Sequence, residues 1–168
     1  MGYRDYSVKR RVPIWSENNA LLMLIILNVF VYITLRFILA VYGLSGGIEN
    51  NYYKQIFEWF SMPADFSVFI TRPWTILSSA FTHMDFWMLL SNMFWLWTYG
   101  YIFQDLTGNR RIFPLYIYGA VIGAGVYLLC YAIFPQLKSA QDTQFYFGAI
   151  APIIAIAIAA TASTRHKR

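Results

Sequence analysis

The sequence predicts an all-α protein: a polytopic membrane bundle of four transmembrane helices, with an interfacial helical loop between the first two. Three observations predict it. Hydrophobic residues make up 58% of the chain and charged residues only 12%, against about 25% charged residues in a soluble domain. Several apolar runs are long enough to cross a bilayer. Basic residues form short clusters beside these runs, which favours contact with membrane lipids and argues against a nucleic-acid partner.

Four helices are predicted, at about 20–42, 74–103, 112–134 and 146–162, all within one membrane domain over 20–162. A basic segment, 1–19, precedes the first helix, which is longer than the apolar region of a signal peptide and is expected to be retained. Arg36, near its far end, is expected to reach the interface or to pair with an acidic loop residue.

The stretch 43–71 is broken by Gly43, Gly46, Gly47 and Pro63, and the aromatic part between these breaks is too short and too polar to span a membrane. Its aromatic residues interleave with Lys54 and Glu58, as in a helix that lies in the membrane interface. A basic tail, 163–168, follows the last helix.

Basic residues are divided unequally between the two sides of this bundle. With both termini and the 104–111 turn on one side, that side holds nine Lys and Arg residues and the other holds three. The bias predicts that both termini are cytoplasmic. A bacterial inner membrane is the expected location.

The second apolar run carries polar side chains, which at membrane depth face other helices or a functional site. His83 and Asn92 lie between the flanking motifs Arg72-Pro73-Trp74 and Trp95-Leu96-Trp97. This run resembles the second transmembrane helix of the rhomboid intramembrane serine proteases. The resemblance implies that His83 occupies the position of a family histidine and Asn92 that of the oxyanion-hole asparagine. It also implies that Met88 replaces the histidine of the family's His-x-x-x-Asn pair.

The family's nucleophile lies in a Gly-x-Ser motif at the start of the fourth helix. The matching stretch is Gly148-Ala149-Ile150-Ala151, with Ile150 in place of the serine, and no serine occurs between Ser139 and Ser163. The family's general base belongs to a sixth helix, beyond the four expected here, and His166 is expected on the wrong side of the membrane. Acyl transfer needs a nucleophile, a base and oxyanion donors. A truncated, catalytically degenerate pseudoprotease is therefore expected, rather than an active endopeptidase.

Small residues on the third and fourth helices suit close helix packing: Gly119, Gly123, Ala151, Ala155 and Ala159. In the rhomboid fold the fourth helix packs against the sixth through such residues. Without that helix, the alanine face is expected to meet lipid, a transmembrane helix of a partner, or a second copy. The expected function is thus a non-catalytic subunit that binds transmembrane helices. The alternative is a truncated or inactivated rhomboid-type protease.

No cofactor or metal is expected. His83 and Asp85 are two residues apart and do not converge on a helix, while a zinc site takes three or four ligands. His83 and Asn92 also have a purely structural interpretation as interhelical hydrogen-bonding groups. A small channel or transporter is disfavoured, because few charges lie at membrane depth to form an ion path.

Overall fold

The computed structural model describes residues 19–44, 49–134 and 145–165, which are almost entirely helical. In chain order the elements are α1 (Ala20–Leu44), α2 (Glu49–Tyr52), a π-helical turn (Tyr53–Phe57), α3 (Glu58–Phe60), β1 (Met62–Pro63), α4 (Phe66–Thr71), α5 (Thr75–Ser78), a 3-10 turn (Ser79–Phe81), α6 (Phe86–Thr107), a second 3-10 turn (Asn109–Arg111), α7 (Ile112–Ile133), β2 (Phe145–Tyr146) and α8 (Ile150–Arg165).

Two segments are long and apolar enough to cross a membrane: Ala20–Leu44 and Asn109–Ile133. Their bounds lie close to the predicted helices 20–42 and 112–134. A shorter apolar helix, Ile150–Thr164, accompanies them. The all-helical class is as predicted. Most of the basic segment 1–19 and part of the tail 163–168 lie outside the described residues, as do Ser139 and His166.

The helix predicted over 74–103 is wrong, because two shorter helical pieces and α6 replace it, separated at Thr82–Asp85. Side chains from other helices take the carbonyl groups that would continue it. The carbonyl of Ala80 accepts a hydrogen bond from the Tyr116 hydroxyl at 2.9 Å, and the carbonyl of Met84 accepts one from Arg36. Tertiary contacts therefore override an apolar pattern that favours one continuous helix.

The fourth helix was predicted over 146–162, but α8 begins at Ile150 and extends to Arg165. Tyr146 instead pairs with Met62, and Phe145 with Pro63, in a short antiparallel ribbon. Gly148 has a φ of +97°, a conformation outside the right-handed helical region and one that L residues other than glycine rarely adopt. The start predicted for this helix is therefore wrong.

Helix α8 makes its most extensive contacts with α6 and α7, while α1 packs mainly against α6. The outer faces are apolar, as expected where lipid replaces water. On α1, outward side chains are 57–69% exposed: Met23, Ile26, Phe30, Ile33 and Phe37. The fully buried large side chains include Leu21, Leu24, Leu96, Ile112, Tyr116 and Ile156.

Helices α1 and α7 begin, and α6 ends, at the same end of the bundle. The Ala20 amide donates to Asn109 Oδ1 at 2.8 Å, and the Gln104 amide donates to Asn19 Oδ1 at 3.1 Å and to Asn109 Oδ1 at 2.9 Å. We call this the arginine end, since Arg110 and Arg111 lie there. The opposite end, with residues 49–85 and Gly148, is the loop end.

Candidate functional site

Three of the predicted site residues meet at the loop end, where α6 begins and the chain enters α8. The Gly148 amide donates to the Ser79 carbonyl at 2.8 Å, which fixes the approach to α8. A Cβ added at Gly148 would collide with the Met88 methyl group and would stand 3.5 Å from Asn92 Nδ2. The positive φ of Gly148 favours glycine at this position, whereas the Met88 methyl group is the tip of a flexible side chain that can move aside. The structure thus brings Met88, Asn92 and Gly148 together.

Asn92 supplies the polar atom of this cluster. It is 5% exposed, and its Nδ2 finds no hydrogen-bond partner among the described residues. A buried amide without a partner destabilises a fold by about 1–3 kcal/mol. Such an orphaned donor calls for an explanation in terms of function or of an unseen partner.

Ile150, the predicted replacement for the nucleophile, is the first residue of α8 and is 51% exposed. Its neighbour Ala149 is fully buried. A branched hydrocarbon side chain has neither a lone pair nor an ionisable proton, so Ile150 cannot act as a nucleophile. The motif that is predicted to lack the serine therefore lies at the start of α8, and Ile150 contributes no reactive group there.

The His83 ring lines a different small cavity at the loop end, between α1 and the helices of residues 49–60. It is 2% exposed; Nδ1 lies 3.2 Å from the Phe81 carbonyl oxygen, and Nε2 has no partner among the described residues. The space in which a water molecule can be centred is about 10 Å³. This leaves room for one water at most. Burial lowers the pKa of His83, since the charged ring would lose its hydration.

His83 and Asp85 do not form a metal site within the described residues, where no group of three or more His, Cys, Asp and Glu side chains gathers. Asp85 is exposed, whereas His83 is buried. Nothing in this part of the chain offers the ligand set that zinc takes.

Arg36 secures the loop that carries His83. Its guanidinium donates to the Met84 carbonyl and, through Nε, to the Tyr32 hydroxyl at 3.1 Å. The Tyr52 hydroxyl binds the Leu35 carbonyl at 3.0 Å. Of the two expectations for Arg36, the interface or an acidic partner, no acidic partner is found among the described residues, and the guanidinium binds a backbone carbonyl at the loop end.

A second support comes from a polar pair that the sequence analysis missed. The Tyr116 hydroxyl of α7 donates to the Ala80 carbonyl at 2.9 Å and lies 3.3 Å from Asn28 Oδ1. Asn28 Nδ2 donates to the Leu24 carbonyl at 2.8 Å. Both side chains are fully buried. They join α1 and α7 to the turn whose Ser79 carbonyl holds Gly148, so they position the cluster indirectly. An isolated Asn and Tyr in apolar runs carry no sequence signal of this pairing.

The alanine face of α8 packs within the chain. A Cβ at Gly119 would lie 2.7 Å from Pro152 Cα and 2.8 Å from Ala155 Cβ, and one at Gly123 would collide with Ala151. This is the close approach of two backbones that small residues allow. The expectation that this face is open to lipid or to a partner is therefore wrong for Ala151 and Ala155. Ala159 is partly buried against the core of the bundle.

Comparison with known proteins gives one family. A family model described as "Rhomboid domain" matches residues 71–168, more than half of the chain. "Rhomboid protein 1, mitochondrial" of Saccharomyces cerevisiae is 36% identical over 56 residues. That alignment covers 33% of this chain and 16% of the relative, so the chain matches about a sixth of that protein. No solved structure matches the chain significantly.

Proposed function

Since the chain belongs to the rhomboid family of membrane proteins, we propose that it is a non-catalytic member that binds a transmembrane helix of a partner protein or of a second copy. One observation carries the first half of this proposal. The family resemblance places the nucleophile position at Ile150, whose side chain cannot attack a carbonyl. The scaffold around it, with Gly148 against Met88 and Asn92, is nevertheless formed.

The surroundings of His83 also support a non-catalytic role. Acyl transfer requires a base within hydrogen-bond reach of a hydroxyl or thiol. Nδ1 of His83 faces a backbone carbonyl, and Nε2 has no partner among the described residues. Losing the nucleophile or the base alone usually lowers catalysis by orders of magnitude.

The partner surface that we propose is the outer face of α8. Ile150, Ile154 and Ile158 recur every four residues and are 51%, 53% and 63% exposed. They form one ridge, about 100° around the helix from the alanines that pack on α7. Helices associate in lipid through van der Waals packing, and a regular ridge of β-branched side chains offers a rigid surface for it. The docking face is therefore this isoleucine ridge and not the alanine stripe.

Photo-crosslinking tests the ridge directly. A benzophenone amino acid at Ile154 should give a discrete protein adduct in native membranes, mapped by mass spectrometry to a transmembrane helix. The same probe at Ile122 of α7, which is 65% exposed, is the matched control and should give lipid adducts. Lipid adducts alone at both positions, together with a strictly monomeric native mass, would contradict helix binding.

The second candidate is a truncated or inactivated form of a rhomboid serine protease. The proximity of Met88, Asn92 and Gly148 favours this candidate, because the family resemblance places the oxyanion site among these residues. A fluorophosphonate probe in liposomes tests whether this chain holds a reactive serine. The non-catalytic proposal predicts no labelling above that of heat-denatured protein, and an inactivated protease would give the same result. Labelling that disappears on replacing one serine would establish an active protease and overturn the non-catalytic proposal.

Four crossings, cytoplasmic termini and a bacterial inner membrane complete the proposal. The alternating directions of α1, α6, α7 and α8 support four crossings, and the basic residues of the arginine end support their orientation. Cysteine substitutions at Arg111 and Ser67, labelled with an impermeant maleimide from either side of sealed vesicles, test it. Both positions are exposed and should react from opposite sides.

A further inference from the structure

We propose that the protein binds an anionic phospholipid in a groove at the arginine end, with an acyl chain along α1 and the phosphate headgroup at Arg110. The groove lies between the first half of α1 and Phe113 at the start of α7. Its volume is about 500 Å³, within the range of small-molecule sites. This inference is independent of the proposed helix binding, which uses α8.

The lining fits a hydrocarbon chain. It consists of apolar side chains, among them Met23, Leu27 and Phe30 of α1 and Phe113 of α7. From Ala20 to Phe30 the groove follows eleven residues of helix, whose ten steps of 1.5 Å span about 15 Å. One half of the hydrocarbon core of a bilayer is also about 15 Å thick. The groove therefore has the length of one acyl chain that starts at the membrane surface.

The charge at the open end of the groove fits a phosphate. Arg110 precedes Phe113 by three residues, so the two lie on the same side of adjacent helical turns. Arg110 and Arg111 are both exposed, and neither forms an ion pair with any described residue. A guanidinium next to an apolar groove can bind a phosphate through paired N–H groups while the lipid tail occupies the groove.

The rest of the molecule shows the same polarity. Among the described side chains, the arginine end carries Arg110 and Arg111 against the single carboxylate of Asp105. The described side chains of the loop end balance three basic residues with three carboxylates: Arg36, Lys54 and Arg72, and Glu58, Asp65 and Asp85. The excess of positive charge therefore favours an anionic headgroup at the arginine end. A second copy of the chain in the groove would bring a second set of arginines to the same place, which argues for lipid as the occupant.

The test uses the full chain in nanodiscs of equimolar phosphatidylglycerol and phosphatidylcholine, released for native mass spectrometry. We expect a retained lipid that is mainly phosphatidylglycerol. Arg110→Gln should reduce this preference about fivefold, the effect of one cationic side chain near an anionic surface. Leu27→Trp, which fills the groove, should reduce the retention of both lipids.

Arg165→Gln is the matched control. It removes the same charge at the same end, from α8, which contributes nothing to the groove. It should leave the lipid preference within about twofold of the parent chain, since a screened charge at a distance contributes little. Equal losses in Arg165→Gln and Arg110→Gln would show diffuse surface attraction and overturn the site. Equal retention of the two lipids, or a retained second chain in place of lipid, would overturn it as well.

Discussion

Two regions of this bundle differ in whether their buried polar groups have hydrogen-bond partners among the described residues. Between α1 and α7, Asn28 and Tyr116 are fully buried and each makes hydrogen bonds, to the Leu24 and Ala80 carbonyls and towards each other. Near the start of α6, Asn92 and His83 are also buried, yet Asn92 Nδ2 and His83 Nε2 have no partner among the described residues. The first region is therefore fully hydrogen-bonded, and the second leaves two buried polar atoms unpaired within the described residues.

This difference in hydrogen bonding distinguishes the residues that hold the helices together from the residues of the candidate site. Buried polar groups that serve packing alone are nearly always paired, so a fold under selection for stability alone would have replaced Asn92 by an apolar residue. It stands beside Gly148, where the family resemblance places the oxyanion site. The comparison therefore teaches that the polar atoms without a partner among the described residues lie at the candidate site, while those of the contact between α1 and α7 are hydrogen-bonded.

The largest expected effect concerns the scaffold alone. Gly119→Val should lower the free energy of unfolding by about 3 kcal/mol, the upper part of the usual range for overpacking. The new side chain would meet the backbone of Pro152, whose Cα is 2.7 Å from the added Cβ, and backbone cannot turn aside. The free energy of unfolding is measured in detergent by adding increasing amounts of dodecyl sulfate and following the loss of helix by circular dichroism.

Gly125→Val is the control for this change. It lies on the same helix, and an added Cβ there meets nothing within 4 Å. Its effect should be small. Equal destabilisation by the two variants would mean that loss of glycine, and not the contact of α7 with α8, is responsible.

Tyr116→Phe should come next, with a loss of about 1–3 kcal/mol, because the Ala80 carbonyl and Asn28 Oδ1 both lose a buried partner. Tyr118→Phe on the same helix, 65% exposed, should change the free energy of unfolding little. The same dodecyl sulfate titration compares them. Similar values for the two variants would remove the evidence that the paired region supports the fold.

The pH dependence of stability probes the unpaired region. Burial lowers the pKa of His83 in the folded state, and the unfolded value is about 6.5. Below that value the unfolded chain binds a proton that the folded chain does not, so the free energy of unfolding falls as the pH falls. The decline should begin near pH 6.5, with a slope of at most about 1.4 kcal/mol per pH unit for one group.

His83→Gln should abolish this decline, and His166→Gln should retain it, since these are the two histidines of the chain. Stability curves from pH 8 to pH 5 in detergent make the comparison. A decline that persists in His83→Gln would assign it to other groups.

The sequence predicts the features of this molecule that depend on residues close together in the chain, and it misses those that depend on contacts between distant residues. Helices α1 and α7 follow from apolar runs, and the association of Met88, Asn92 and Gly148 follows from the family resemblance. The interruption at Thr82–Asp85 was missed because it depends on contacts from Arg36 and Tyr116, which are distant in sequence.

The direction of the small-residue face was missed for a related reason. Spacing shows that Ala151 and Ala155 share one side of a helix, but it does not show which neighbour that side meets. The pairing of Met62 with Tyr146 is also a long-range contact, without a local pattern to predict it. In each case the missing information is which elements become neighbours.

The smallest expected effect comes from the substitution that compares the two regions most directly. Asn92→Leu should leave the free energy of unfolding unchanged or raise it by up to about 1 kcal/mol, because it removes an amide donor that has no partner. Asn28→Leu should lower it by about 0.5–1.5 kcal/mol, the net contribution of a buried hydrogen bond, because the Tyr116 hydroxyl then keeps only the Ala80 carbonyl as its acceptor. Both residues are buried, so loss of exposed polarity cannot account for a difference. A loss in Asn92→Leu as large as that in Asn28→Leu would mean that Asn92 is paired in the membrane, by water or by a partner chain. The orphaned donor would then be part of an occupied site.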